Sequence, residues 1–300
     1  MECTDELHNK IECSFKDPEI ISDEKYKIIS YNWLGNCPLQ KDGLCMIHAN
    51  TGEENLPLIC RLYPRSYKQI NDHLIACCSS SCEAIVELLY KADSINIIKD
   101  ELDVKPQLKY EIEDEEYKLI MKFNEMLKDR STSLLQSICE ICLLINEKEF
   151  KNDFNNNTNP LTMALNILKR FKDNDNKLDE IIEELDNRYT GNYYQYEIDK
   201  ARFEKTYPNW MNFFENVLNN SLIYENFPFV DNRFSDTLAY KGLCAAYGLL
   251  RLVCIGYTNI HEGEEYLIDA VTCLFRLIDH TAFYYNISII CDDPAILLKL

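Results

Sequence analysis

Six of the chain's 14 cysteines fall between positions 36 and 83: Cys37, Cys45, Cys60, Cys77, Cys78 and Cys82. They alternate with turn-forming residues, namely Pro38, Gly43, Gly52, Pro57 and Pro64. A packed core does not need sulfur at loop positions. A metal ion or an iron–sulfur cluster does, because thiolates from separate turns must converge on one centre. The spacing C-x7-C-x14-C, then a CC pair and C-x3-C, lacks the paired C-x2-C knuckle of a zinc finger, so it marks metal-type cysteines without choosing the metal. Ser80-Ser81-Cys82-Glu83 before AIVELLY reads as a capping box with Ser80 at the N-cap, which places Cys82 in a first helical turn where a thiolate is favoured. Pro57 opens a short helical turn that carries Cys60 and must stop before Pro64. Cys37, Cys45, Cys60 and Cys82 are the expected ligand set.

These cysteines need a scaffold, and the rest of the chain describes one. Eight glycines and nine prolines in 300 residues are too few for a sandwich of many short strands, and the Glu/Lys/Leu/Ile runs have helical period. Helices are expected over 82–92, from 113 through the stretch around Met126, on to about 148 after a cap at Asp129 or Ser131, and over 160–171, 176–189, 194–206, 209–223, 235–256 and 263–283. A short piece follows Pro294. A further helix is expected over 22–32. The stretch 96–112 is a linker with an extended piece over 108–112. The fold class is therefore mainly α. An irregular cysteine-rich module, 1–95, packs on an α-helical domain, 113–300.

The segments CPLQKDGLCMIH, Gly-Glu-Glu-x-Leu, CRLYPR and SCEA, followed far downstream by SLIYENFPF (221–229), AYGLLRLVCIGY and FRLIDH (275–280), resemble the flagellin lysine-N-methylase family. That family is related to cysteine-cluster domains that chelate iron or zinc. The resemblance implies a methyltransferase that uses S-adenosylmethionine to methylate lysines of flagellin, with a 4Fe-4S cluster, or zinc, held by the cysteine region. Two departures stand out. Cys82 is followed by Glu83 where the family has proline. Nothing before Cys37 matches the upstream CC and Gly-Trp segment, so the chain resembles a member short of that portion, with an incomplete cluster. The competing expectation is a non-catalytic helical protein in which the cysteines hold a structural zinc or iron.

The remaining candidates read as structure. Cys139-x2-Cys142 sits at i, i+3 spacing inside LLQSICEICLLI, where core packing is expected, as it is for Cys244, Cys254 and Cys273. His48 reads as a surface turn residue rather than a ligand, and His280 as a core residue or one that complements a helix C-terminus. Tyr193, Tyr194 and Tyr196 could line an aromatic cage for a lysine side chain, although bundle packing explains them as well. No Gly-rich phosphate loop is present, and no single Glu or Tyr is marked out as the base that lysine methylation requires. A net charge of −19 disfavours nucleic acid, which needs a basic surface. The segment 238–257 is apolar but carries Lys241 and Arg251, so no membrane span is expected. The N-terminus has no basic region followed by an apolar run, and the cysteines are expected to be reduced in a cytoplasm.

Overall fold

The computed structural model describes residues 5–16, 28–29, 37–41, 44–70, 73–97, 110–150, 159–172, 177–230 and 235–300. The chain divides into two compact units, Met1–Tyr63 and Pro64–Leu300. The cysteines of the N-terminal module are thereby split: Cys37, Cys45 and Cys60 lie in the first unit, and Cys77, Cys78 and Cys82 in the second.

The smaller unit is irregular. Helix α1 (Asp5–Ser14) leads into β1 (Phe15–Lys16), which pairs antiparallel with β2 (Ile28–Ile29). Ile28 and Ile29 are therefore strand, where a helix over 22–32 is expected from sequence; the other residues of that stretch lie outside those described. Two adjacent β-branched residues can satisfy a ladder as readily as a helix. A second small ladder joins β3 (Gln40–Lys41) to β4 (Leu44–Cys45), followed by α2 (Met46–Thr51) and α3 (Leu58–Leu62). Among the described residues, Leu7, Leu39 and Ile47 are its buried apolar side chains. As the sequence predicts, Pro57 opens α3, which carries Cys60 and ends before Pro64.

The larger unit is a helical bundle with one small sheet. Strand β5 (Arg65–Ile70) pairs antiparallel with β6 (His73–Cys78), and β7 (Tyr110–Glu111) adds in parallel to β5. Tyr110 and Glu111, within the extended piece expected over 108–112, are thus a strand, while residues 108 and 109 lie outside those described; the hairpin is an element the sequence reading lacks. The helices are α4 (Glu83–Lys91), α5 (Asp114–Lys128), α6 (Leu134–Ile145), α7 (Pro160–Arg170), α8 (Lys177–Tyr189), α9 (Tyr193–Thr206), α10 (Trp210–Tyr224), α11 (Asp236–Ile260), α12 (Glu264–His280) and α13 (Phe283–Ile290), with a 3-10 segment at Pro294–Lys299. Their starts follow local chemistry: the side chains of Ser133, Asn159 and Ser235 accept N–H bonds from the first turns of α6, α7 and α11. Ser133, rather than Asp129 or Ser131, caps α6. The stretch expected as one helix over 263–283 ends at His280, and α13 starts separately.

Helix α11 is the axis of the bundle. It is long and apolar enough to cross a bilayer, yet 94% of its most apolar window is buried inside this unit. The two charges that interrupt it are accommodated internally. Lys241 Nζ donates to the Cys291 carbonyl at 3.0 Å, and the Arg251 guanidinium lies 4.4 Å from the Trp210 ring centroid while donating to Glu204 at 3.1 Å. Gly242 and Gly248 let neighbours touch its backbone: a Cβ on Gly242 would run into the Tyr284 ring, and one on Gly248 would meet the Leu297 carbonyl at 2.8 Å. Cys139, Cys142, Cys244, Cys254 and Cys273 are all buried in this core, as expected, with Cys142 and Cys244 sulfurs 3.6 Å apart.

Candidate functional site

Two groups of residues carry chemistry. In the smaller unit, Cys37 ends in a turn where its carbonyl accepts from Gln40 N–H at 3.0 Å, Cys45 is the N-cap of α2, and Cys60 is exposed on α3. Burial and then the neighbouring Cys37 and Cys45 push the Cys60 thiol above its ordinary value. The three sulfurs are therefore close enough for their charges to be felt, and a bound cation would reverse that repulsion. Thiolates are soft donors of the kind that thiophilic metals take. The ligand group is not closed, however: among the described residues, no three or more His, Cys, Asp or Glu are arranged to hold a metal ion. Cys82 belongs to the larger unit, where burial pushes the Cys78 thiol up, with Arg65 opposing and Cys82 adding to the rise. His48 is exposed on α2.

The second group lies where the hairpin and the ends of α10, α12 and α13 meet, all within the larger unit. Lys68 occupies an inward position of β5 and is 2% exposed. Its Nζ donates to the Ile223 carbonyl, to the Tyr224 carbonyl at 2.8 Å and to Asn226 Oδ1, satisfying carbonyls that the end of α10 leaves open. Asn226 takes the left-handed conformation this turn needs, at φ 56°. Asn220 of α10 donates to the Cys78 carbonyl and to Ser80 Oγ, both at 2.9 Å. The triplet Ser79-Ser80-Ser81 is consequently turned inward, each residue 0% exposed. The capping box expected at Ser80 does not form: Cys82 is the N-cap of α4, without a side-chain cap. The serine hydroxyls are drawn away by α10 and α12 instead.

At the end of α12, Asp279 Oδ2 accepts from Ser79 Oγ at 2.5 Å, whereas Oδ1 is enclosed with no hydrogen-bond partner. Ser79 Oγ lies 2.6 Å from Ser81 Oγ, which lies 2.7 Å from His280 Nε2. Burial raises the Asp279 carboxyl to about 7 against the pull of its serine hydrogen bonds. Glu225, just past α10, is raised to about 8 by burial and then by Asp279, with Lys68 opposing. Lys68 itself is lowered to about 8 by burial, with Cys77 and Glu225 opposing. Tyr284 of α13 is fully enclosed beside both carboxyls, and burial pushes its hydroxyl far up. As whole residues Asp279 and Glu225 are half-buried, while the Asp279 Oδ1 atom itself is enclosed. Acids that change charge near neutral pH in one enclosed place can hold or accept a proton from a substrate.

Sequence reasoning singles out none of Lys68, Ser79, Glu225 or Asp279. Three of the segments that carry the family resemblance, SCEA, SLIYENFPF and FRLIDH, nonetheless converge here. The tyrosines of α9 behave differently from the cage they could form: Tyr196 is buried and donates to the Leu300 carbonyl at 3.2 Å, while Tyr194 is 76% exposed.

The profile of the FliB lysine N-methylase C-terminal domain matches residues 106–291, more than half of the chain. The chain belongs to the FliB lysine N-methylase family. That match includes Glu225, Asp279, His280 and Tyr284, whereas Lys68 and the serine triplet reach the same place from outside it. Comparison with curated proteins and with solved structures returned no match.

Proposed function

We propose that the chain is a lysine N-methylase of flagellin, taking the methyl group from S-adenosylmethionine in the cytoplasm. The family membership over residues 106–291 carries this reading. The acidic site supports it chemically. A lysine ε-ammonium has no lone pair, so methyl transfer requires its proton to be removed first. A carboxylate of the Glu225–Asp279 pair accepts that proton. The amine lone pair then forms the N–C bond as the donor's C–S bond breaks, and the donor leaves as a thioether. Lys68 opposes the rise that burial imposes on Glu225 and so limits how far the ionisation of that carboxyl is suppressed. The overall acidity of the chain suits a lysine-bearing protein substrate.

The thiols of Cys37, Cys45 and Cys60 are proposed as metal ligands of the smaller unit, for iron–sulfur or zinc. A bound metal there would order the turns that carry them, since ligation and local folding are linked. Anaerobic purification followed by iron, sulfide and zinc analysis tests the ligands: Cys60→Ser lowers metal content if they hold it, and leaves it unchanged if they do not. Co-expression with flagellin, followed by peptide mass spectrometry, tests the activity. Lysines gaining the mass of one or more CH2 groups support it. Unmodified flagellin beside a metal-replete chain overturns it, and leaves the cysteines as a structural metal site.

A further inference from the structure

We propose that Asp279, Ser79, Ser81 and His280 form a proton wire that connects the enclosed carboxyl to the surface. The observation is an unbroken line of short contacts: Asp279 Oδ2 to Ser79 Oγ at 2.5 Å, Ser79 Oγ to Ser81 Oγ at 2.6 Å, and Ser81 Oγ to His280 Nε2 at 2.7 Å. The inner end of this line is enclosed, and His280 at its outer end is exposed.

Hydrogen-bond accounting gives one consistent direction for each link in each protonation state. A serine hydroxyl has one hydrogen and two lone pairs. With Asp279 ionised, Ser79 spends its hydrogen on Oδ2, and its oxygen accepts both from the Ser81 backbone N–H at 3.0 Å and from the Ser81 hydroxyl. Ser81 Oγ then accepts from His280 Nε2–H. When Asp279 is protonated, the line reverses. The Asp279 proton passes to Ser79 Oγ, the Ser79 hydrogen to Ser81 Oγ, and the Ser81 hydrogen to His280 Nε2. Each serine ends with one hydrogen, Asp279 is a carboxylate again, and His280 is an imidazolium that releases its proton to water. Rotation of the two hydroxyls and return of His280 to the Nδ1–H tautomer, by exchange with water, reset the wire.

Burial acts on both ends of the line. Burial lifts Asp279 to about 7, while burial and then Arg276, one turn back on α12, lower His280. His280 is thus held towards its neutral form, which leaves it able to take a proton from the line and give it up to water. The other ionisable groups that bear on the inner end are Glu225 at the end of α10, Tyr284 on α13, and Cys77, which stands beside Lys68 on the hairpin. On the methylase reading, on which this substrate rests, the proton comes from a lysine ε-ammonium. A base with no exit would be used up by the first turnover, whereas the wire restores it while the substrate still covers the site.

The test is NMR of the full chain, labelled at histidine nitrogens and aspartate carboxyl carbons and titrated between about pH 5 and 9, which brackets both groups. In the wild type, the Asp279 and His280 curves should each show the other's inflection, and the His280 ring should change which nitrogen carries hydrogen as Asp279 ionises. Ser79→Ala and Ser81→Ala should uncouple them, while Ser81→Thr, which retains the hydroxyl, should preserve the coupling. Unchanged His280 titration and tautomer in both alanine variants would overturn the wire, as would independent single-step curves in the wild type. Should the alanine variants fail to fold, the wild-type and threonine curves still decide. This result is independent of methylation. A coupled titration with no flagellin modification would leave the wire standing and remove the methylase, and the opposite pair of results would do the reverse.

Discussion

Replacing Asp279 by Asn tests whether the acidic site is as enclosed as the structure shows. The amide keeps the shape of the acid but cannot ionise. In the wild type, Asp279 is raised from 3.8 to about 7. The folded state therefore holds a proton that the unfolded state has released, and the sign follows from linkage. Stability from this group is fully present below about pH 4 and is lost as pH rises through about 7. A displacement of that size corresponds to a ceiling of roughly 4 kcal/mol, and the partial exposure of Asp279 brings the expected change to about 2 kcal/mol. Urea unfolding at about pH 5 and pH 8 measures it, provided the slope with denaturant is unchanged. The wild type should lose about 2 kcal/mol more than Asp279→Asn between those two conditions. Parallel pH dependence of the two proteins would mean that Asp279 titrates as an ordinary surface acid, and the buried-acid account of the site would be refuted.

Lys68→Met should lower stability by about 3 kcal/mol in urea unfolding, because it strips the carbonyls at the end of α10 of their donor in a buried place; it should also raise Glu225 further, visible in carboxyl-carbon NMR. Gly242→Ala should cost about 1–3 kcal/mol, read as a drop in Tm, since the added methyl has to displace the Tyr284 ring. Cys139→Ala should cost only about 1 kcal/mol by the same measurement and leave the metal content per chain unaltered, because it removes one small buried group from the apolar core.

The helical unit was largely legible because its signals are local. Asn159-Pro160, Ser235 and the apolar periods of α7 to α11 declare starts and faces without reference to the rest of the chain. The hairpin was not legible for a physical reason: among its described residues the most buried is Lys68, so a polar residue stands where a period-2 pattern wants an apolar one. The serine triplet misled in a related way. Its local chemistry suits an N-cap, but Asp279 and Asn220, far away in sequence, compete for the hydroxyls. The same long range explains why Glu225 and Asp279 went unmarked among the 50 acidic residues of the chain. Only folding places them together, where burial makes them different from the others. The segments quoted for their family likeness contain both residues, but the resemblance marks neither of them out.

The central claim is that this chain moves a methyl group to a lysine amine, and the most direct measurement uses purified components. The anaerobically prepared full chain, with its metal content measured, is incubated with flagellin and S-adenosylmethionine carrying a deuterated methyl group. The flagellin peptides are then read by mass spectrometry. The account predicts labelled methyl groups on lysine ε-nitrogens, and their loss in Asp279→Asn together with Glu225→Gln. Label absent from every lysine with the metal-replete wild type, or undiminished in the doubly substituted chain, would contradict it.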